Sequence, residues 1–408
     1  MSSTDLNLRM KLVSSMGLSL HRHGTNAYRL EEILRNISTA LQMNGQFFST
    51  PTYLAMAFSP TDSLDETEVT KHLRVLPGEA DLSKLQKLDS LAERICVGNL
   101  DIKDALIELS HIESEKNHYS TAITLFSFSL VSMAISLLLN GGLTENILSA
   151  IFGLWVGVGY YFKTKYEHFN NIYEFFISFT VTMFLYCIFN FYKPFNFQTV
   201  LISSLIIIIP GLSLTIAMIE LATQNLASGT ARLMGSLVDL LKLAFGIYIG
   251  LETASIFFYP IDYLAEINNA KWALPLSVFL ASIGFNIVFK ALKSDFIWIL
   301  YSGVIAVASL KIGLFYLSPT LATFISAFMV GLCSNIFSRF KNRPAMTMLL
   351  PGMIFMVPGS IGLKGLSFLM QNDFLNGVTS GIQMFTISIS IVAGLFFSNV
   401  ILKPRKGL

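Results

Sequence analysis

Ten apolar runs, each close to the length of a membrane span, fill the last two thirds of this 408-residue chain. They cover residues 120–139, 144–162, 172–192, 198–220, 233–258, 272–290, 296–316, 319–338, 345–369 and 376–401. About 20 apolar residues cross a bilayer as a helix. Lipid offers no partner to open backbone, so helices or a closed barrel are the only ways across. The predicted fold class is therefore a polytopic α-helical membrane protein of about ten transmembrane helices. Composition agrees, with 13% charged residues against about 25% in soluble domains. The charge is unevenly spread. Residues 1–119 hold 12 basic and 16 acidic side chains, net −4, and residues 120–408 hold 16 and 10, net +6. A small soluble α+β domain over 1–119 is expected to precede the membrane part. An overall charge of +2 gives no ground for a nucleic-acid partner.

Within 1–119, Leu30, Ile33, Leu34, Ile37, Ala40 and Leu41 recur at three and four, one face of an amphipathic helix, with Thr25 or Asn26 as its cap. Gln46–Phe58 reads as one strand interrupted by Pro51, and Val69–Val75 as a second. Asp81 opens a helix with Leu82, Leu85, Leu88, Leu91 and Ile95 on one stripe, and Asp101 opens another that ends near Ser114. No signal-peptide pattern opens the chain. Cys96, Cys187 and Cys333 are scattered and form neither a disulfide framework nor a CxxC metal site.

Loop charge tests the span count. With a cytoplasmic N-terminus, the inner loops hold eleven cations: Lys163, Lys165, Arg232, Lys290, Lys293, Arg339, Lys341, Arg343, Lys403, Arg405 and Lys406. The outer positions hold four, Lys193, Lys271, Lys311 and Lys364. That asymmetry follows the positive-inside rule, and losing one span would invert every later loop. Both termini are expected in the cytoplasm, in the cell's inner (plasma) membrane.

Two segments are alike. Pro210, Gly211, Gln224 and Gly229 recur as Pro358, Gly359, Asn372 and Gly377, every pair 148 residues apart. They fall in the fourth and ninth runs, five spans apart, so the copies run in opposite directions. Helices broken by Pro and Gly at matched positions of inverted halves are the pattern of secondary transporters. Pro removes a donor and clashes with the preceding turn, and the freed backbone groups must find other partners. The domains read as 1–119 soluble, 120–258 the first five-helix repeat and 272–401 the second.

Charged and polar groups inside the runs are the remaining site candidates. Asp239 and Lys242 share a face of the fifth span, as a site or a self-neutralising pair. Glu220 and Arg232 flank the inner loop after the fourth, as a gate, substrate ligands or interfacial anchors. Asn286 interrupts the sixth, where a lone amide commonly joins helices. Gly153-x3-Gly157 and Gly246-x3-Gly250 are read as packing motifs. His21 and His23 flank Arg22, a spacing that shares no helix face. No HExxH and no GxxxxGK[ST] occurs. No metal, cofactor or catalytic set is expected, and ion coupling or facilitated efflux is favoured over ATP hydrolysis.

The stretches LHRHGTNAYRLEEILRNI (20–37), FFSTPT (47–52), IPGLSLTIAMIELATQNLASGTARL (209–233), GFNIVFKA (284–291) and RPAMTMLLPGMIFMVPGS (343–360) resemble the bacterial threonine/serine exporter family, nearly end to end and with both family domains in one chain. The resemblance implies a ten-spanning secondary exporter with a cytoplasmic N-terminal domain. It places Pro210, Gly211, Glu220, Gly229, Arg232, Pro344, Pro358, Gly359 and Ser360 at family motif positions; where this chain has Glu220 the family often has Asp. Asp239 and Lys242 fall outside those motifs.

The expected function is export of small amino acids, threonine or serine, driven by the proton motive force. The substrate and transport positions are Pro210, Gly211, Glu220, Arg232, Asp239, Lys242, Asn286, Pro358, Gly359 and Ser360. The expected partners are that solute, the lipid bilayer and, as an open option, a second copy of the chain. Alternatives are a dicarboxylate exporter for succinate-like solutes, a membrane-anchored hydrolase acting through residues 1–119, and a gating or sensing role for that domain.

Overall fold

The computed structural model describes residues 3–60, 68–192, 195–258, 272–356, 358–370 and 373–405. Lys193, Lys271, Asn372 and Lys406, named above, lie outside the described residues.

The N-terminal region folds around its own core. Helices α1 (Ser3–Arg22) and α2 (Ala27–Ala40) lead into strands β1 (Met43–Thr50), β2 (Tyr53–Pro60) and β3 (Val69–Arg74), then α3 (Leu82–Cys96) and α4 (Ile102–Ser114). The strands form an antiparallel sheet in the order β1-β2-β3, with Phe47 opposite Met56 and Leu54 opposite Leu73. Leu12, Met16, Leu30, Leu34, Leu54, Phe58, Leu88 and Leu91 close the core. The segment expected as one strand over 46–58 is instead a hairpin turning at Pro51 and Thr52. Pro sets the φ of a turn and cannot serve a central ladder. Asp81 caps α3 by accepting from Lys84 N–H at 3.0 Å. Asn26 stands at the cap position of α2 without making a cap bond.

The other elements among the described residues are helices. In order come α5 (Thr121–Leu138), α6 (Leu143–Lys165), the short α7 (Glu167–Asn170), α8 (Tyr173–Phe191), α9 (Phe197–Leu205), α10 (Gly211–Ala222), α11 (Leu226–Ser255), α12 (Ala273–Val288), α13 (Phe296–Tyr316), α14 (Pro319–Lys341), α15 (Met346–Ile354), α16 (Gly359–Met370) and α17 (Phe374–Ile401). Among the described residues, eight helical segments are long and apolar enough to cross a membrane, counting Met346–Met370 as one; α10 and α12 are shorter apolar helices. All ten expected runs are helical. The fourth is divided into α9 and α10 and the ninth into α15 and α16.

Helix contacts recur at a nearly constant sequence offset. A methyl on Gly153 of α6 would meet Phe128 O of α5 at 2.8 Å; one on Gly303 of α13 would meet Val278 of α12 at 3.2 Å. Gly246 of α11 rests on Phe175 O and Phe179 N of α8, and Gly394 of α17 rests on Phe324 O and Phe328 N of α14. Gly229 abuts Leu221, and Gly377 abuts Leu369. The expected small-residue motifs on α6 and α11 are thus packing surfaces.

Candidate functional site: the helix breaks and the Glu220–Arg232 junction

Each broken span restarts at a proline. The Pro210 carbonyl accepts from Leu214 N–H at 3.0 Å, opening α10, and the Pro358 carbonyl accepts from Gly362 N–H at 3.0 Å, opening α16. The two restarts touch. A methyl built on Gly359 would fall 2.9 Å from Gly211 Cα, 3.1 Å from Gly211 N and 2.6 Å from Ile209. Only a residue without Cβ permits that approach. Two helix N-termini, each the positive end of its dipole, therefore share one locus. The broken Met346–Met370 segment is 82% buried in its most apolar stretch, whereas the other spanning helices are 33–50% buried. It faces protein, not lipid. Nearby backbone groups are held by hydroxyls: Thr215 donates to Gly211 O at 3.1 Å, Ser132 to Ser204 O at 3.4 Å and Ser302 to Met348 O at 2.6 Å. Ser360 is half-buried in the first turn of α16.

At the far end of α10, Glu220 is 1% exposed and fully engaged. Arg232, on the second turn of α11, grips it bidentately at 3.0 and 3.2 Å. Ser228 donates to Oε2 at 2.9 Å. The fourth donor comes from the N-terminal region: Ala27 N–H, the first amide of α2, reaches Oε1 at 3.1 Å. This carboxylate satisfies the first orphan amide of α2, whereas a side-chain cap at Asn26 would take the second or third. The intervening loop is closed by Asn225 N–H to Glu220 O at 2.9 Å, with Gln224 at φ 64°. Glu220 and Arg232, paired in sequence only by proximity, thus meet directly and tie the N-terminal region to the helix bundle. Leu82 N–H to Phe289 O at 3.0 Å and Tyr160 Oη to Glu79 at 2.6 Å complete the docking.

Beside that junction lies a small cavity of about 40 Å³, lined by Thr25, Asn26, Arg29, Asp89 and, from the start of α15, Pro344 and Thr347. Thr25 Oγ1 and Asn26 Oδ1 are buried without a hydrogen-bond partner.

Asp239 and Lys242 belong to a larger group than their spacing suggests. Lys242 lies 3.2 Å from Asp239 and 3.6 Å from Glu174, and Lys163 lies 3.0 Å from Glu174. Because Glu174 is in the first turn of α8, the pair sits level with that helix end. Two acids and two bases alternate there. Asn286 donates to Tyr119 Oη at 2.6 Å, and Tyr119 donates to Ala291 O at 3.0 Å, fastening α12 to the segment before α5. The structure brings together Pro210, Gly211, Pro358 and Gly359, and separately Glu220 and Arg232; Asn286 stands apart from both groups.

His21 and His23 line a cleft of about 650 Å³ between the N-terminal region and Lys290. His21 Nε2 lies 3.2 Å from Pro51 O and His23 Nε2 lies 3.1 Å from Glu113. Ser19 donates to the same Glu113 carboxylate, so its hydroxyl is bound to the acid and not to the imidazole. Burial holds both imidazoles below the usual histidine range. Burial raises Glu113, but Ser19, His23 and Arg22 outweigh it and hold the carboxyl below its usual range. Among the described residues, no group of three or more His, Cys, Asp or Glu side chains is placed to hold a metal.

Comparison with known proteins adds to this geometry. A family model described as "Putative threonine/serine exporter" matches residues 11–254, and one described as "Threonine/Serine exporter, ThrE" matches residues 275–401. Pheromone-regulated membrane protein 10 of Debaryomyces hansenii is 25% identical over 98% of this chain and 42% of its own length. The proteins of that name from Candida glabrata and Kluyveromyces lactis are 23% and 24% identical, over 98% of this chain and 54% and 44% of their own lengths. The chain spans about half the length of the curated relatives it matches. No solved structure matches it.

Proposed function

Because the chain belongs to the threonine/serine exporter family, we propose that it is a secondary exporter of small amino acids, threonine and serine foremost. It is a multi-pass membrane protein of a transporter family. In this reading the membrane part consists of two five-helix halves of opposite orientation, 120–258 and 272–401. Residues 1–119 stand on the cytoplasmic face of the plasma membrane with both termini, and the proton motive force drives export.

The observation that carries the reading is the contact between the two breaks, Gly359 on Gly211. Alternating access needs a locus at which two halves meet and can part, and a backbone contact between two helix restarts is such a locus. The repeated packing of Gly153 and Gly303, Gly246 and Gly394, and Gly229 and Gly377 supports a shared ancestry of the halves. The converging helix N-termini favour a solute with a carboxylate. A dicarboxylate would want a second cation, yet Lys242 is shared between Asp239 and Glu174.

The test is counterflow in liposomes holding the purified chain, with labelled threonine, serine and succinate in parallel. The expected outcome is threonine and serine exchange with no succinate exchange. Succinate exchange alone would replace this reading with the dicarboxylate one, and exchange of none of the three would end the exporter reading.

A further inference from the structure

The cradle around Glu220 is complementary to any carboxylate. A guanidinium fork at 3.0 and 3.2 Å, a serine hydroxyl at 2.9 Å and a helix N-terminal amide at 3.1 Å converge on its two oxygens. Bidentate arginine and the first amide of a helix are each favoured ligands of such an anion. The side chain holding that place belongs to the chain itself, and it is 1% exposed.

The residues just before that amide carry the complementary feature. Thr25 Oγ1 and Asn26 Oδ1 have no donor, in residues 9% and 3% exposed. Buried polar atoms are normally paired. Both residues line the cavity of about 40 Å³ that Thr347 closes from the second membrane half. That space holds one water-sized group. An ammonium group is of that size and brings three donors and no acceptor.

Resting on the exporter reading, we propose that the Glu220–Arg232 pair is a self-occupied binding site for zwitterionic α-amino acids. The substrate carboxylate takes the place of Glu220 on Arg232, Ser228 and the Ala27 amide. Its ammonium enters the cavity of Thr25 and Asn26, and Glu220 turns to face it. The N-terminal region thereby supplies part of the transport site, through the first residues of α2.

Charge balance selects the substrate class. A zwitterion inserted between Glu220 and Arg232 leaves each of them facing an opposite charge, while Arg29 and Asp89, which also line the cavity, neutralise each other at 3.1 Å. A dicarboxylate brings two negative charges to one arginine and strands Glu220. A cationic amine strands Arg232. A buried charge without its partner is strongly unfavourable, so both are rejected.

The experiment is counterflow of labelled threonine by the full chain in liposomes, with an unlabelled competitor panel. Threonine and serine are expected to compete. N-acetylthreonine, which lacks the ammonium, threoninamide, which lacks the carboxylate, and succinate are each expected to compete at least about tenfold more weakly, the loss of one charge-assisted hydrogen bond. Asn26→Leu and Thr25→Val remove the orphan oxygens at nearly constant volume, and each is expected to raise the threonine KM about tenfold with the maximal rate less affected. The panel on the native chain needs no variant and stands even where a variant fails to fold. Equal competition by N-acetylthreonine or succinate, or an unchanged KM in folded Asn26→Leu, would overturn the proposal while leaving the exporter reading intact. A native chain that moves no amino acid would overturn the exporter reading first.

Discussion

Gly359 lies directly on Gly211, so close that a methyl group added to the first would fall 2.9 Å from the Cα of the second. Each glycine is the first residue of a helix that restarts after a proline. Gly359→Ala places a Cβ against backbone, which cannot turn aside as a side chain can. Overpacking of this kind costs about 1–3 kcal/mol. The expected result is a lower melting temperature together with loss of threonine counterflow. A variant that transports as the native chain does would show that the two restarts are not the moving contact.

The Glu220–Arg232 pair gives a second expectation. The Arg232 and Glu220 side chains are 19% and 1% exposed, so either single truncation strands a charge in a nearly closed space. Arg232→Met is expected to destabilise the chain by about 3–5 kcal/mol. The double variant Glu220→Leu with Arg232→Met removes both charges and is expected to be less destabilised than Arg232→Met alone. Thermal melting of the native chain, Arg232→Met, Glu220→Leu and the double variant in detergent reads the coupling directly.

How much of this arrangement is legible in sequence depends on distance along the chain. The ten apolar runs and the Pro-Gly pairs at an offset of 148 are local patterns, and each corresponds to a helix or a break. The cap at Asp81 is equally local. The junction at Glu220 is not, because its partner Ala27 is 193 residues away and a backbone amide leaves no mark in a sequence. Glu174, which reassigns Lys242, sits in another helix with no periodic relation to it. Helix α1 escaped the sequence reading, since its buried Leu12, Val13, Met16 and Leu20 are interspersed with Ser14, Ser15 and Ser19 and no strong stripe forms. The pairing of the glycine contacts is equally invisible in sequence, since the partners of Gly246 and Gly394 are backbone carbonyls and amides.

The four-charge group at the end of α8 predicts unequal effects from two similar substitutions. The Glu174 side chain is 9% exposed and faces both Lys163 and Lys242, whereas the Asp239 side chain is 40% exposed and faces one lysine. Glu174→Gln leaves Lys163 without an acid and Lys242 with Asp239 alone; because both lysines are partly exposed, the expected cost is about 1–2 kcal/mol. Asp239→Asn is expected to cost less than about 1 kcal/mol, as for solvent-screened pairs. Equal losses in a melting experiment would show that the four charges do not act as one group.

The N-terminal region is expected to lose stability in mild acid. His21 and His23 are held below the ordinary histidine value of about 6.5, chiefly by burial. Around His21, Arg232 lowers the value further, while Glu220 and the Pro51 and Leu76 backbone oppose the shift. Around His23, Glu113 and Asp81 oppose it and Lys84 adds to it. A base with a depressed folded pKa binds fewer protons folded than unfolded, so its stabilising contribution is complete above the unfolded value and is lost as the pH falls below it. The melting temperature is expected to drop as the pH is lowered from about 7.5 to about 5.5. In the His21→Gln, His23→Gln double variant the curve flattens over that window; an unflattened curve would assign the acid sensitivity to other groups.

The matched glycines provide a prediction with both signs in it. Gly246 and Gly394 each rest on backbone of a neighbouring helix, with a methyl group meeting a carbonyl oxygen at 2.5 Å in both cases. Alanine at either position pushes α11 from α8, or α17 from α14, and close helix approach is what such interfaces depend on. Both substitutions are expected to destabilise by similar amounts, about 1–3 kcal/mol. Gly235 and Gly381 lie in the same two helices, α11 and α17, but a methyl group on either meets nothing within 4 Å. There alanine lowers the backbone entropy of the unfolded chain and favours the helix by up to about 1 kcal/mol. Melting temperatures of the four single variants therefore should fall for Gly246→Ala and Gly394→Ala and hold or rise for Gly235→Ala and Gly381→Ala. Similar losses at all four positions would mean that helix propensity, and not the repeated close contact, sets the stability of α11 and α17.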